Sequence, residues 1–409
     1  MTTKRAISML IMCLAGIVAV GALADTPEIT GVTVRQRWPW SRLVDIDYVL
    51  TCNPTQRVDI AVHAYNGSEK LFFPLDALSG DLMNIGQGAK RIVLDPVKTG
   101  YTNEALTQFS VELTPTDPPV YMIVDLTRDA GTEGQIEYVY EADLTNGFWG
   151  SWERNPITNE TGEALVESVI WTGVTTNAIY KTDKLVLRRA SAGSFTMGDP
   201  PGTLTEVDED FYVSVFAVTQ AQWDKVTGGS STAVTPKAAL SYNALRGATT
   251  NSPAVDWPET ESYVAPASFI ARLRNKTGIT DFDLPTKTQR EYACRAGTTT
   301  YYNDGLEGDI TTYTNQLDKL AWWANNSGGS IREVGLKTAN AWGLYDMHGN
   351  VWEWCLDWFD ISCTQRYTRG GDRRVDFDIC RSGFNDNGGD PSVGQSGFGL
   401  RLVRTLECP

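Results

Sequence analysis

Asn340-Ala341-Trp342-Gly343-Leu344-Tyr345-Asp346-Met347-His348-Gly349-Asn350-Val351-Trp352-Glu353-Trp354 is the stretch on which the fold turns. It sits in a region crowded with tryptophan and glycine and poor in regular elements. Such a region is held by aromatic burial, backbone hydrogen bonds to loops, bound ions and disulfides rather than by stacked helices. Asp346 and Glu353 flank Gly349 and Val351, whose backbone carbonyls can point inward in a tight glycine-containing turn. Hard oxygen ligands of that kind suit calcium. The same two carboxylates also suit loop capping or pairing with arginines such as Arg401. His348 is expected to hydrogen-bond locally.

Upstream, Leu284-Pro285-Thr286 leads into Arg290-Glu291-Tyr292-Ala293, and Thr286 followed by Gln289 is a capping-box pattern for a helix. Val218-Thr219-Gln220-Ala221-Gln222-Trp223 predicts a short helix capped at Thr219. Another helix is expected from Pro266, with Phe269, Ile270 and Leu273 on one face and Gly278 ending it. Gly193-Ser194-Phe195-Thr196-Met197-Gly198 opens the region, and Arg369-Gly370-Gly371, Cys380-Arg381-Ser382 and Gly397-Phe398-Gly399-Leu400-Arg401-Leu402 close it.

In this order and spacing these motifs resemble the sulfatase-modifying-factor family, whose founding members are formylglycine-generating enzymes. The resemblance covers roughly residues 185–405. It implies a loop-rich α/β variant of the C-type lectin fold. It also implies that the positions matching Asp346, Gly349, Val351 and Glu353 hold a structural calcium ion, and that a second calcium site lies near Asn325 and Asn326, with no clear match for its further ligands. Cys294 and Cys380 fall near positions that the family joins by a disulfide.

The enzyme of that family oxidises a substrate cysteine with two cysteines that bind copper(I), a soft ion suited to thiolates. They lie five residues apart after the glycine pair. Here Val375 stands at the first position, and Cys380 matches the second by counting. One thiolate cannot make a two-sulfur site, so copper is not expected. Relatives that hold iron use histidines, and this chain has only His63 and His348. The resemblance therefore points to a ligand-binding or adhesive member, with conversion of cysteine to formylglycine as the alternative.

Asp372 to Ser396 mixes Arg, Asp, Phe, Asn, Gly, Ser and Val without helical or strand period. The resemblance places this stretch on an exposed groove, and in variable proteins of diversity-generating retroelements the matching face is mutated at adenine-containing codons. The restricted residue set fits such a variable receptor, and an ordinary polar loop is the alternative. Arg373, Arg374, Asp376, Phe377, Phe384, Asn385 and Asn387 are the expected contacts for a protein or glycan, since aromatics supply buried area and polar neighbours supply specificity.

Outside this region, Lys4 and Arg5, the apolar run Ile7 to Leu23 and the Ala22-Leu23-Ala24 site read as a signal peptide over residues 1–24. Export to the periplasm, the cell surface or the medium is expected, with no lipobox cysteine and no later transmembrane segment. The net charge of −15 becomes −17 when Lys4 and Arg5 leave, which disfavours nucleic acid. Cys13 leaves too, and the six remaining cysteines favour disulfides. Cys355 and Cys363 could pair locally, whereas Cys52 and Cys408 have no evident partners.

Residues 25–128 read as a β-sandwich. Val32/Val34, Val44/Ile46/Tyr48/Leu50, Val58/Ile60/Val62 and Phe109/Val111/Leu113 alternate with polar neighbours, and Tyr121 to Leu126 could be an interior strand. His63 lies in one of these strands. Residues 129–184 read as a connecting segment with a docked strand or two, and 185–409 as the C-terminal domain. The expected class is α+β: an N-terminal all-β sandwich followed by a loop-rich formylglycine-generating-enzyme/C-type lectin-like domain.

Overall fold

The computed structural model describes residues 26–406 except 38–40, 55, 75–76, 102–105, 148, 155–167, 248–263 and 309. The expected signal peptide, Cys13 and Cys408 lie outside the described residues.

The N-terminal alternation builds two sheets. Glu28–Gln36, Val44–Thr51, Gly88–Leu94 and Leu78–Gly80 form one, and Glu69–Leu71, Asp59–Asn66 and Phe109–Thr116 the other. Ile46, Tyr48, Leu50, Val58, Ile60, Ile92, Leu94 and Leu113 fill one core between them, as strands with a period of two bury one face. Val32 and Val34 depart from expectation, at 38% and 41% exposed. Their strand is the outer one of its sheet, so it lacks a neighbour on one side. His63 lies in a strand, opposite Glu112.

Tyr121–Asp125 does not join the sandwich. It pairs with Lys184–Ala190 in a six-stranded antiparallel sheet ordered Phe282–Asp283, Val403–Thr405, Phe211–Ser214, Lys184–Ala190, Tyr121–Asp125, Ile136–Val139. The boundary drawn at residue 128 therefore moves to the stretch between Thr116 and Tyr121. The reason is burial on both faces. Tyr121 and Ile123 enter one core with Val186, Val213 and Tyr292, while Met122 and Val124 enter another with Leu187, Tyr212, Phe269 and Trp354. A strand sealed on both sides belongs inside a sheet covered on two faces, not in a sandwich with one wet face.

The helices cover that sheet. Gln220–Thr227 starts at the expected cap, Thr219, which also forms a capping box with Gln222, and Lys287–Arg295 carries the box expected at Thr286/Gln289. The helix expected from Pro266 begins at Phe269 instead, where the Ser268 hydroxyl accepts from the Ala271 N–H, and it ends at Gly278 in the left-handed region (φ 71°). A second small sheet, Gly388–Gly389, Arg366–Arg369, Trp352–Trp358 and Phe398–Gly399, carries Trp352 and Trp354 of the long motif. Arg189 ties the two halves together, donating to Asp59 at 2.9 Å and to Asp210 at 2.8 Å. The chain is thus mixed α+β. Among the described residues no helix is long and apolar enough to cross a membrane.

Candidate functional site

Asn340 shapes the long motif from its start. Its Oδ1 accepts the N–H groups of Trp342 and Leu344, and its Nδ2 donates to the carbonyls of Ala293 and Cys294. The loop is thereby fastened to the end of helix Lys287–Arg295. At Gly349 (φ 70°) an added Cβ would lie 2.3 Å from the Trp322 carbonyl, so only glycine permits the parallel pairing of His348–Gly349 with Ala321–Trp322.

Glu353 is fully buried between two buried arginines. Arg290 Nε donates to Oε2 at 2.5 Å, Arg401 Nη2 lies 3.0 Å from Oε1, and Arg401 Nε is 3.1 Å from both oxygens. The same guanidinium groups bind the loop backbone: Arg290 Nη2 donates to the Met347 carbonyl, and Arg401 to those of Tyr345, Ser214 and Val215. Burial by itself opposes ionisation of Glu353, but the two arginines outweigh it and hold the carboxyl below its ordinary value. Asp346, also buried, accepts from the Gly335 N–H through Oδ2, while Oδ1 has no hydrogen-bond partner. Burial pushes its carboxyl up to about 6.

The four residues expected around calcium are therefore differently employed. Glu353 has two N–H neighbours on each oxygen, the Gly349 carbonyl accepts from the Val351 N–H at 2.8 Å, and of the two carboxylates only Asp346 has an oxygen, Oδ1, without a hydrogen bond. These residues do not fit a hard cation shared between Asp346 and Glu353. No cluster of three or more His, Cys, Asp or Glu able to hold a metal occurs among the described residues. Near the second expected site, the Asn326 side chain is occupied by Asp318, the Ala321 carbonyl and the Trp323 N–H.

The expected bridge between Cys294 and Cys380 is not formed, and both are free, as are Cys52, Cys355 and Cys363. Cys294 turns instead toward His348, with Sγ 3.8 Å from Nε2 and 3.7 Å from the Ser382 hydroxyl. His348 Nδ1 lies 2.7 Å from the Cys380 carbonyl. A carbonyl only accepts, so Nδ1 carries the proton and Nε2 faces the thiol. Burial opposes ionisation of Cys294, yet His348, Arg290 and Ser382 together bring it down to about 6. Burial instead pushes Cys355 and Cys380 well above the ordinary thiol value.

A thiol lowered by folding favours the native state above its ordinary value of 9.0, and that contribution is lost as pH falls through about 6. The expected result is a thiolate absorbance step near 240 nm, centred near pH 6 and missing in Cys294→Ser. A step only above pH 8 would show that the pair does not form.

Cys380 has a different neighbour. An added Cβ at Gly371 would meet Cys380 Sγ at 2.8 Å and Val375 Cγ2 at 3.2 Å. The two positions five apart in sequence are therefore neighbours in space, and one holds a methyl where the other holds sulfur.

Of the expected ligand contacts, Arg374, Asp376 and Asn385 are exposed. Arg374 leans on buried Asp372. Phe377, Phe384 and Asn387 are half-buried: Phe377 meets Trp323 edge-on, Phe384 packs on Trp352, and Asn387 donates to Thr368. Arg373 does not face outward. It is 8% exposed, because its guanidinium is used on the carbonyls of Gly329 and Ser396. Sequence reasoning missed Arg290 and the Cys294–His348 pair. An arginine in a capped helix reads as a solvated face, and the pair joins residues far apart in the chain.

The chain is similar to one family model and to three known proteins. A family model described as a sulfatase-modifying factor enzyme 1-like domain matches residues 176–406. The chaperone protein LppX of Paenibacillus barcinonensis is 27% identical over 211 residues, covering 40% of this chain and 69% of that protein. Among solved structures, Treponema denticola variable protein 1 aligns with a TM-score of 0.42 and 23% identity, over 55% of this chain and 96% of that one. CarF aligns with a TM-score of 0.35 and 17% identity, over 54% and 97%.

Proposed function

The chain belongs to the sulfatase-modifying factor enzyme 1-like family through residues 176–406, and from that premise we propose that it is an exported ligand-binding or adhesive protein. The observation that carries this reading is that Val375 and Cys380 both flank Gly371 and pack in one cluster, with a methyl at the first position and a single sulfur at the second. The enzyme of the family would need two sulfurs there, and a copper(I) ion gains nothing from a methyl group. Cys380 is buried, with its thiol form favoured by burial and by the carboxylates of Asp372, Asp378 and Asp376.

The ligand face is the surface carrying Arg374, Asp376 and Asn385, flanked by half-buried Phe377 and Phe384. A relative named a chaperone supports a protein partner there, and a glycan is the other chemistry that such a mixed surface suits. Variation at Asp376 and Asn385 in a diversity-generating retroelement would leave the framework intact, because these two side chains are exposed.

Two assays test the reading. The purified chain, supplied with copper(I) and oxygen, is expected to form no aldehyde on a cysteine-containing peptide; oxygen-dependent aldehyde would establish the oxidoreductase instead. On arrays of glycans and extracellular proteins, the combined Asp376→Ala and Asn385→Ala variant is expected to lose the wild-type signal while keeping its melting midpoint, since both side chains are exposed. Undiminished binding would remove this face from the proposal.

A further inference from the structure

The motif that decides the fold was expected to close around a calcium ion, yet a side chain sits in that role. Arg290 is fully buried and is held at Glu353 Oε2 and at the Met347 carbonyl. The backbone makes room for it at Gly370 (φ 97°), where a Cβ would lie 2.9 Å from Arg290 Nη2. We propose that the guanidinium of Arg290 is the resident cation of this loop, and that the C-terminal domain is built to stand without calcium at Asp346 and Glu353.

Three observations carry this. Both oxygens of Glu353 are taken by N–H donors, two to each, so a hard ion would first have to displace an arginine. Second, two buried guanidinium groups, Arg290 and Arg401, already touch Glu353. A divalent ion bound to the same carboxylate would stand against two fixed positive charges in a sealed core, which costs several kcal/mol per uncompensated ion. Lys181 and Lys337, whose charges also act on Asp346, would add to the repulsion. Third, the fork of Arg290 does what an ion would do there, joining a carboxylate of one segment to a carbonyl of the next. Unlike a bound ion, it is never lost to dilution or chelation.

The test compares the full mature chain in EDTA and in millimolar calcium chloride. The wild-type melting midpoint is expected to change by less than about 1 °C, with no saturable heat on calorimetric titration with calcium. Arg290→Met is expected to melt lower and to regain part of the loss in calcium, since the Met347 carbonyl becomes free and Glu353 Oε2 keeps only Arg401 Nε. Should that variant not fold, the wild-type comparison decides by itself. A wild-type rise of more than about 3 °C in calcium that disappears in Asp346→Ala would overturn the proposal. A rise that survives Asp346→Ala, which leaves no side-chain oxygen at this position, comes from an ion held elsewhere and leaves Arg290 as the cation of this loop.

Discussion

Glu353→Gln is expected to cost the C-terminal domain roughly 3–5 kcal/mol and to lower its melting midpoint by roughly 6–20 °C. The carboxylate is the single anion in contact with two fully buried arginines, Arg290 and Arg401. Glutamine keeps the shape but removes the charge, and its amide turns an N–H toward guanidinium groups that can only donate. Neither arginine can escape to water, because each is also fastened to loop carbonyls at Met347, Tyr345, Ser214 and Val215. The contrast is Arg154→Ala, which breaks a pair with Glu141 that is half-exposed on both sides. That change is expected to stay within about 0.5 kcal/mol. Urea unfolding of both variants checks the prediction. A Glu353→Gln midpoint as close to wild type as that of Arg154→Ala would show that this carboxylate does not organise the core.

Val375→Cys is expected to convert an inert position into a copper(I) site. Wild-type protein should compete no better than a simple thiol for cuprous ion. The variant should hold about one ion per chain, about a hundredfold tighter or more, which is about 2.7 kcal/mol. The valine methyl and Cys380 Sγ approach the same point beside Gly371, so a sulfur on residue 375 would face the one already present. Cys380 is now held neutral by burial and by nearby carboxylates. A coordinated thiol is deprotonated outright, and those carboxylates favour a cation as much as they oppose a thiolate. Competition with a chromophoric cuprous chelator measures the change. If Val375→Cys and wild type bind alike, the two positions do not converge on one ion, and the argument from Val375 against oxidase chemistry fails with them.

Much of the framework was legible because it is local. The cap at Thr219, the box at Thr286/Gln289, the stop at Gly278 and the alternation of Ile46, Tyr48 and Leu50 each follow from side chains within a few residues of the backbone groups they satisfy. Tyr121–Asp125 was misplaced for the opposite reason. A short apolar run states that it is buried but not against what, and its partner, Lys184–Ala190, lies some sixty residues onward. The site divides in the same way. Arg374, Asp376 and Asn385 are exposed as expected, while Arg373 turns inward because two backbone carbonyls, of Gly329 and Ser396, happen to lie within its reach.

By itself, then, the order of residues determined the family, the capped helices, the alternating strands and the presence of valine at position 375. The three-dimensional arrangement alone decided that Glu353 meets arginines, that Cys294 meets His348 rather than Cys380, and that the central sheet recruits a strand from before the connecting segment. The physical reason is range. Capping and periodicity act over one or two turns of chain, whereas ion pairs and thiol partners are chosen by burial, which brings residues 294 and 348, or 290 and 353, into reach only after the chain has closed.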